Sequence, residues 1–196
     1  MGDKINNLIR KSESITGVLL PNSVGATVTY FGLMAYGNVF HPMNISTGYS
    51  GLSSICKTLE IKNIVTSRFF VEKAKIEILI EKLSEIVNVI YLEDIKATVN
   101  FSDKISAILT DVTRLPGYFA DSQREVIALA TSGSEGSPKG VLLSHKNILS
   151  DCLQIKSVID FTPKDIVFNA LPTFHSFGFT GGLILPLLNG LKTYQY

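Results

Sequence analysis

Tryptophan is absent from this sequence, and cysteine and methionine are scarce, with two and three residues among 196. Cys56 and Cys152 share no metal-ligand spacing, so neither a zinc module nor a disulfide framework is indicated. Both fall in expected helices, and two buried thiols in a reducing cytoplasm is the expectation. An excess of charge of one sign is lacking too. Eighteen Lys and Arg stand against 17 Asp and Glu, a net charge of +1. No basic surface therefore argues for nucleic acid as a partner. No apolar run reaches the roughly 18 residues that a membrane-spanning helix needs. The longest, Phe177 to Leu188, is broken by Gly181, Gly182 and Pro186. Met1 to Lys11 is polar, which fits no secretory signal, and the start Met1-Gly2-Asp3-Lys4-Ile5-Asn6 lacks the hydroxyl residue of a myristoylation signal.

What is present is apolar sequence in short, regularly spaced pieces. Apolar residues make up 45% of the chain, which is rich for a soluble protein and suits sheets covered on both faces. Thr16 to Leu20 reads as a strand and Ser23 to Tyr36 as a helix. Asn38 to His41 is a short strand, Tyr49 to Leu59 a helix and Asn63 to Thr66 a strand. Val71 to Val87 reads as one long helix with Val71, Ile78, Leu79, Leu83 and Ile86 on one face. Val89 to Leu92 is a further strand. Repeated strand–helix–strand units of this size imply an α/β fold, with mostly parallel sheets flanked by helices and right-handed crossovers. Residues 93 to 123, with Pro116-Gly117 and polar patches, read as a linker. The expected division is thus a first α/β subdomain with linker over 1–124 and the start of a second over 125–196. In the second, Ser144 is a good N-cap for a helix to Ile159 that buries Ile148, Cys152, Ile155 and Ile159. Val167 to Ala170 is its next strand.

The most informative stretch is Thr131-Ser132-Gly133-Ser134-Glu135-Gly136-Ser137-Pro138-Lys139-Gly140. It follows the apolar run Val126-Ile127-Ala128-Leu129-Ala130, a buried strand, and precedes Val141-Leu142-Leu143 and a helix. Small residues let backbone N–H groups approach phosphate oxygens. The hydroxyls add donors, and Lys139 adds a mobile positive charge. The loop therefore points to polyphosphate chemistry. It is not a Walker A loop, because Lys139 follows Pro138 and precedes Gly140. It lacks the third glycine of the dinucleotide fingerprint, and no G-x-S-x-G elbow surrounds Ser134. A second segment, Leu171-Pro172-Thr173-Phe174-His175-Ser176-Phe177-Gly178, follows the Val167 to Ala170 strand. Both segments thus leave carboxyl ends of strands, where open α/β sheets bind ligands. His175 alone could equally be a structural histidine capping the next helix.

Thr131 to Gly140 resembles the phosphate-loop signature of the adenylate-forming, AMP-binding enzyme superfamily, usually (S/T)-S-G-(S/T)-T-G-x-P-K-G. Glu135 stands where most members have Thr. That variant, with Ile90-Tyr91-Leu92-Glu93-Asp94, is most similar to the acyl-ACP synthetase part of bacterial 2-acylglycerophosphoethanolamine acyltransferase/acyl-ACP synthetases. Leu171 to Gly178 resembles the family's L-P-x-x-H-x-x-G segment. Gly17 to Ser23, Phe31 to Gly37, Pro42-Met43-Asn44 and Thr66-Ser67-Arg68 also fall in place, so the likeness runs over residues 15 to 196.

The resemblance implies a two-step ligation. ATP, with Mg²⁺, activates a fatty acid as an acyl-adenylate, and an acyl carrier protein or CoA thiol then displaces AMP. Thr131, Ser132, Gly133, Ser134, Glu135, Gly136, Lys139 and Gly140 would hold the nucleotide phosphates. Glu135, a carboxylate among phosphates, would face Mg²⁺, a lysine or a backbone N–H. Phe174 and Phe177 would wall the acyl pocket, Gly178 would leave room in it, and His175 would orient the carboxylate. Lys139 and His175 are the residues expected to act on the reaction, and no resident metal site is expected. The family's adenine, hinge and catalytic-lysine motifs are not found in this sequence. The expectation is therefore an N-terminal fragment whose sheet edge self-associates, and whose parent is cytoplasmic or at the inner face of a bacterial membrane. The alternative is a non-catalytic α/β module with weak phosphate or acyl binding.

Overall fold

The structure is a computed structural model and describes residues 2–9, 14–101, 103, 105, 121–131 and 139–196. Helix α1 (Gly2–Ile9) is followed by β1 (Thr16–Val18), α2 (Val24–Ala35), β2 (Phe40–Pro42), α3 (Gly48–Thr58) and β3 (Asn63–Thr66). Next come α4 (Arg68–Ala74), α5 (Glu77–Ser84), β4 (Asn88–Tyr91) and α6 (Leu92–Ala97). Beyond them lie β5 (Glu125–Thr131), β6 (Lys139–Ser144), α7 (His145–Val158) and β7 (Ile166–Asn169). A continuous helical segment then runs as α8 (Ser176–Phe179), one π-helical stretch (Thr180–Ile184) and α9 (Leu185–Leu188), before β8 (Lys192–Gln195).

Six strands form one sheet in the order β4-β3-β1-β2-β5-β6, and β7 and β8 form a second. All pairings are parallel except β5 with β6, a hairpin. The mostly parallel α/β architecture expected from the sequence is therefore present. β5 and β6 start after residue 124 yet hydrogen-bond into the first sheet, so that sheet is continuous across the expected 124/125 division.

Neighbouring strand residues point to opposite faces, and the core divides accordingly. Val18, Val65 and Ile127 join one buried cluster with Tyr30, Leu33, Phe40, Ile148 and Phe179. Leu19, Ile64 and Ala128, their immediate neighbours, join the other with Met43, Leu52, Ile80 and Leu83. A sheet covered on both faces needs apolar residues at successive positions, which is the pattern that the sequence carries. Cys56 and Cys152 are both buried and free, one in each cluster.

Three departures from the sequence reading have local causes. The expected helix over Val71 to Val87 is two helices, because Lys75 adopts a left-handed conformation at φ 55° and ends α4. The break resets the helical phase. Ile80 and Leu83 are buried, while Ile78 and Ile86 face outward. The expected linker begins with a helix, α6, rather than at residue 93. In α7, Ile148 and Cys152 are buried and Ile155 packs partly against the core, but Ile159 lies beyond the last turn and is exposed.

Serines start three helices. Ser23 accepts from the Ala26 N–H, and Ser67 from the Phe70 N–H. Ser144 accepts from the Asn147 N–H at 3.2 Å, while the Asn147 side chain accepts from the Ser144 N–H at 2.9 Å. These contacts satisfy donors that the first helical turn leaves open.

Candidate active site at the carboxyl ends of the strands

β1, β2 and β5 are parallel neighbours, so their carboxyl ends share one edge of the sheet. The residues after β5 begin the hydroxyl-rich loop. Ser132, Gly133, Ser134, Glu135 and Gly136 lie outside the described residues. Its two ends are described. Thr131 and Lys139 are direct cross-strand partners in the β5–β6 hairpin, and the Thr131 hydroxyl donates to the Lys139 carbonyl at 3.4 Å. Both side chains are exposed. Gly140 pairs with Ala130, and a Cβ there would run into the Leu59 side chain.

β5 is tied to the rest of the sheet by a contact that sequence reasoning missed. The β2–β5 register has one partner pair, Phe40 with Ile127. Pro42 brings no N–H to a ladder. The buried His41 side chain instead reaches the Ala128 carbonyl, with Nδ1 at 2.8 Å. A carbonyl only accepts, so Nδ1 carries the proton. Burial disfavours a second proton and holds the His41 pKa below the ordinary histidine value, against the opposing pull of the Ala128 carbonyl.

The second segment lies at the end of β7. Asn169 is buried there and organises the turn. Its amide donates to the Gln195 side chain at 2.8 Å and to the Gly178 carbonyl at 3.3 Å, while its oxygen accepts from the Leu171 N–H at 3.2 Å. His175 is the N-cap residue of α8, but its side chain makes no capping hydrogen bond. Its carbonyl accepts the first intrahelical bond, from the Phe179 N–H at 2.9 Å. The imidazole is exposed and packs beside Phe174, ring centroids 4.8 Å apart. Phe174 is half-buried and Phe177 is 62% exposed. Gly178 is buried, and the space beside its Cα is taken by the Pro172 carbonyl oxygen. The glycine therefore lets the helix close onto the loop.

Two residues from the first α/β units reach this segment, and nothing in their local sequence announces it. Asn22, in the loop after β1, accepts from the Thr173 N–H at 3.1 Å and donates to the Leu171 carbonyl at 3.0 Å. The Tyr30 hydroxyl, on α2, meets the Thr173 hydroxyl at 3.0 Å in a buried contact. Burial pushes the Tyr30 pKa up to about 12, although the Thr173 contact pulls the other way. Asn22 thus ties the His175 segment to the loop that follows β1, at the edge of the sheet where the parallel neighbours β1, β2 and β5 have their carboxyl ends.

Two other matched segments meet at the ends of β3 and β4. Glu93 accepts from the Ser67 hydroxyl and from the Arg68 and Phe69 N–H groups, at 2.8, 3.0 and 3.2 Å. Partial burial would raise its pKa, but these donations together lower it. Arg68 makes a two-pronged pair with Asp94, both bonds at 2.7 Å, and lies 4.2 Å over the Tyr91 ring. Tyr91-Leu92-Glu93-Asp94 and Thr66-Ser67-Arg68 are therefore two sides of one surface clamp. Among the described residues, no group of three His, Cys, Asp or Glu could hold a metal. No described helix is long and apolar enough to cross a membrane.

The chain belongs to the AMP-binding enzyme family, whose pattern it matches over residues 7–195. It is 38% identical over 93 residues to the medium-chain-fatty-acid–[acyl-carrier-protein] ligase JamA of Moorena producens, covering 47% of this chain and 15% of that protein. It is 28% identical over 181 residues to the medium-chain fatty-acid–CoA ligase of Escherichia coli, covering 89% of this chain and 31% of the ligase. The chain thus spans less than a third of the length of these curated relatives. Among solved structures, VinN superposes over 99% of this chain and 50% of its own, with a TM-score of 0.76 at 18% identity. ATP-bound MatB of Rhodopseudomonas palustris superposes over 98% and 37%, with a TM-score of 0.72 at 21% identity.

Proposed function

We propose that this chain carries the phosphate- and carboxylate-handling part of an ATP-dependent acyl-ACP or acyl-CoA synthetase acting on a fatty acid. The observation that supports the reading is the shared edge: the hairpin end at Thr131 and Lys139 follows β5, and the His175 loop is tied by Asn22 to the carboxyl end of β1 in the same parallel sheet. A fatty-acid carboxylate oxygen attacks the α-phosphorus of MgATP. The new P–O bond gives acyl-adenylate as the α–β bridge breaks and pyrophosphate leaves. A phosphopantetheine thiol of an acyl carrier protein or CoA then attacks the acyl carbon, loses its proton and expels AMP. Thr131, Ser132, Gly133, Ser134, Glu135, Gly136, Lys139 and Gly140 hold the departing phosphates. Lys139 offsets charge that develops on them, and His175 orients the carboxylate beside Phe174, Phe177 and Gly178. The location that goes with this reading is the cytoplasm, with the parent protein associated with the inner face of a bacterial membrane.

For the 196 residues by themselves we propose binding without turnover, since most of each aligned ligase lies outside the match. Fatty-acid-dependent exchange of labelled pyrophosphate into ATP tests both statements. Exchange by a longer protein containing this chain, lost on Lys139→Ala, is the expected result. Exchange by the 196 residues alone overturns the second statement, and ATP turnover without fatty acid overturns the first. Self-association is proposed through β7 and β8, where exposed Phe168 stacks on exposed Tyr194 and lies tilted against exposed Tyr196 just beyond β8. A monomer by light scattering at high concentration contradicts it.

A further inference from the structure

We infer that Asn22 and Tyr30 are positioning residues for His175, setting where its loop stands relative to the strand pair that carries the phosphate hairpin. This rests on the reading of His175 as the group that faces the carboxylate. A loop whose backbone polar groups are partly buried must find partners for them. The Leu171–Phe174 loop finds them in a residue 149 positions earlier. The Asn22 amide has two donor hydrogens and an oxygen with two lone pairs. It uses them on three backbones at once: the Thr173 N–H at 3.1 Å, the Leu171 carbonyl at 3.0 Å and the Tyr196 carbonyl at 3.3 Å. Tyr196 in turn donates its N–H to the Asn169 carbonyl, which closes the bracket around the end of β7.

Thr173 is the point where the two tethers converge. Asn22 holds its N–H, Tyr30 holds its hydroxyl, and its side chain is buried. His175 follows two residues later, its N–H donating to the Pro172 carbonyl at 3.1 Å. The Tyr30 ring is itself fixed. It stacks on Phe40 at 4.8 Å and 15°, and meets Phe179 edge-on at 5.8 Å and 73°. Phe40 is the β2 residue in register with Ile127 of β5. The path from the hairpin strand to the histidine loop is therefore short: Ile127, Phe40, Tyr30 and Thr173 in direct succession, then two residues along the chain to His175. Both tethers end on Thr173, two residues before the imidazole, so a change in either is passed to His175 through the chain. In a ligation that joins a carboxylate to the α-phosphate, this separation is what must be held, since an error of about 1 Å can cost roughly a hundredfold in rate.

The test uses the 196-residue chain with ¹⁵N-labelled histidine. His41, His145 and His175 are its three histidines, so each ring can be followed by nitrogen–proton correlation. Tyr30→Phe and Thr173→Val each remove one hydroxyl of the buried contact and should shift the His175 ring signals in the same sense. Thr173→Ser keeps the hydroxyl and should restore the wild-type position. Asn22→Asp keeps the acceptor but loses both donations, and should move His175 even if Tyr30→Phe does not fold. The His41 and His145 signals should stay in place throughout. His175 signals unchanged in all the variants, or three histidines moving together, overturn the inference. Adding decanoate and MgATP to the wild-type chain separates this from the functional reading. A His175 ring that responds to the tether variants but not to these ligands leaves the positioning role standing and overturns the carboxylate role.

Discussion

The two strand ends that make the candidate site are built in opposite ways. The His175 segment is pinned from several sides: Asn22 and Tyr30 hold Thr173, Asn169 holds Leu171, and the Pro172 carbonyl closes against Gly178. The hairpin end is held mainly from below. Thr131 and Lys139 pair across the strands, His41 and one register pair tie β5 to β2, and the Thr131 and Lys139 side chains are exposed. On the proposed function the difference would suit two kinds of ligand: a carboxylate has to be presented at a fixed angle, whereas a polyphosphate is bound by charge and by many N–H and O–H donors.

The contrast breaks most visibly at two glycines. Gly178→Ala puts a methyl group against the Pro172 backbone carbonyl, which cannot turn aside, so we expect a loss of about 3 kcal/mol in denaturant unfolding. Gly140→Ala meets only the flexible end of Leu59, and a change of about 0.5 kcal/mol is expected there. Equal losses at both positions would erase the distinction. Next in size is Tyr30→Phe. It leaves the ring stacking intact but strands the buried Thr173 hydroxyl, at a cost of roughly 1–3 kcal/mol.

A third effect is pH dependence on the hairpin side. The folded-state pKa of His41 lies below its unfolded value, so the unfolded chain binds more protons as the solution acidifies. Its contribution is fully present above about pH 6.5 and falls away below it, by at most about 1.4 kcal/mol per pH unit. His145, also lowered by burial and then by the Arg124 charge, acts in the same direction. His41→Asn should reduce the acid-side slope of the stability profile, and an unchanged slope would remove His41 from the account. The smallest effect is Lys139→Ala, expected to alter stability by no more than about 0.5 kcal/mol. The same change should weaken any MgATP binding roughly ten- to a hundredfold, the worth of a charge-assisted contact.

Much of this arrangement was legible in the sequence because it depends on local signals. Short apolar runs gave the strands, Ser23 and Ser144 gave helix starts, and the Thr131 to Gly140 and Leu171 to Gly178 segments fall where the strands end. What could not be read depends on contacts distant in the chain or on a backbone choice with no residue signature. Lys75 takes a left-handed conformation that glycine would have advertised and lysine does not. The reach of Asn22 to Leu171 and Thr173 looks like an ordinary Pro-Asn turn in sequence. His41 reads as an alternating strand residue, yet it replaces ladder bonds beside Pro42. Gly178 reads as leaving room beside a pocket, and the position a Cβ would take there is filled by the Pro172 carbonyl.

The account stands on the claim that the hairpin and the histidine loop are one site. Backbone amide shifts of the ¹⁵N-labelled chain, followed during a millimolar MgATP titration, test it directly. The predicted result is a saturable set of changes at Thr131, Lys139 and Gly140 that extends to His175, with the hairpin changes lost in Lys139→Ala. Saturable changes that spare both segments, or hairpin changes that never reach His175, would contradict it.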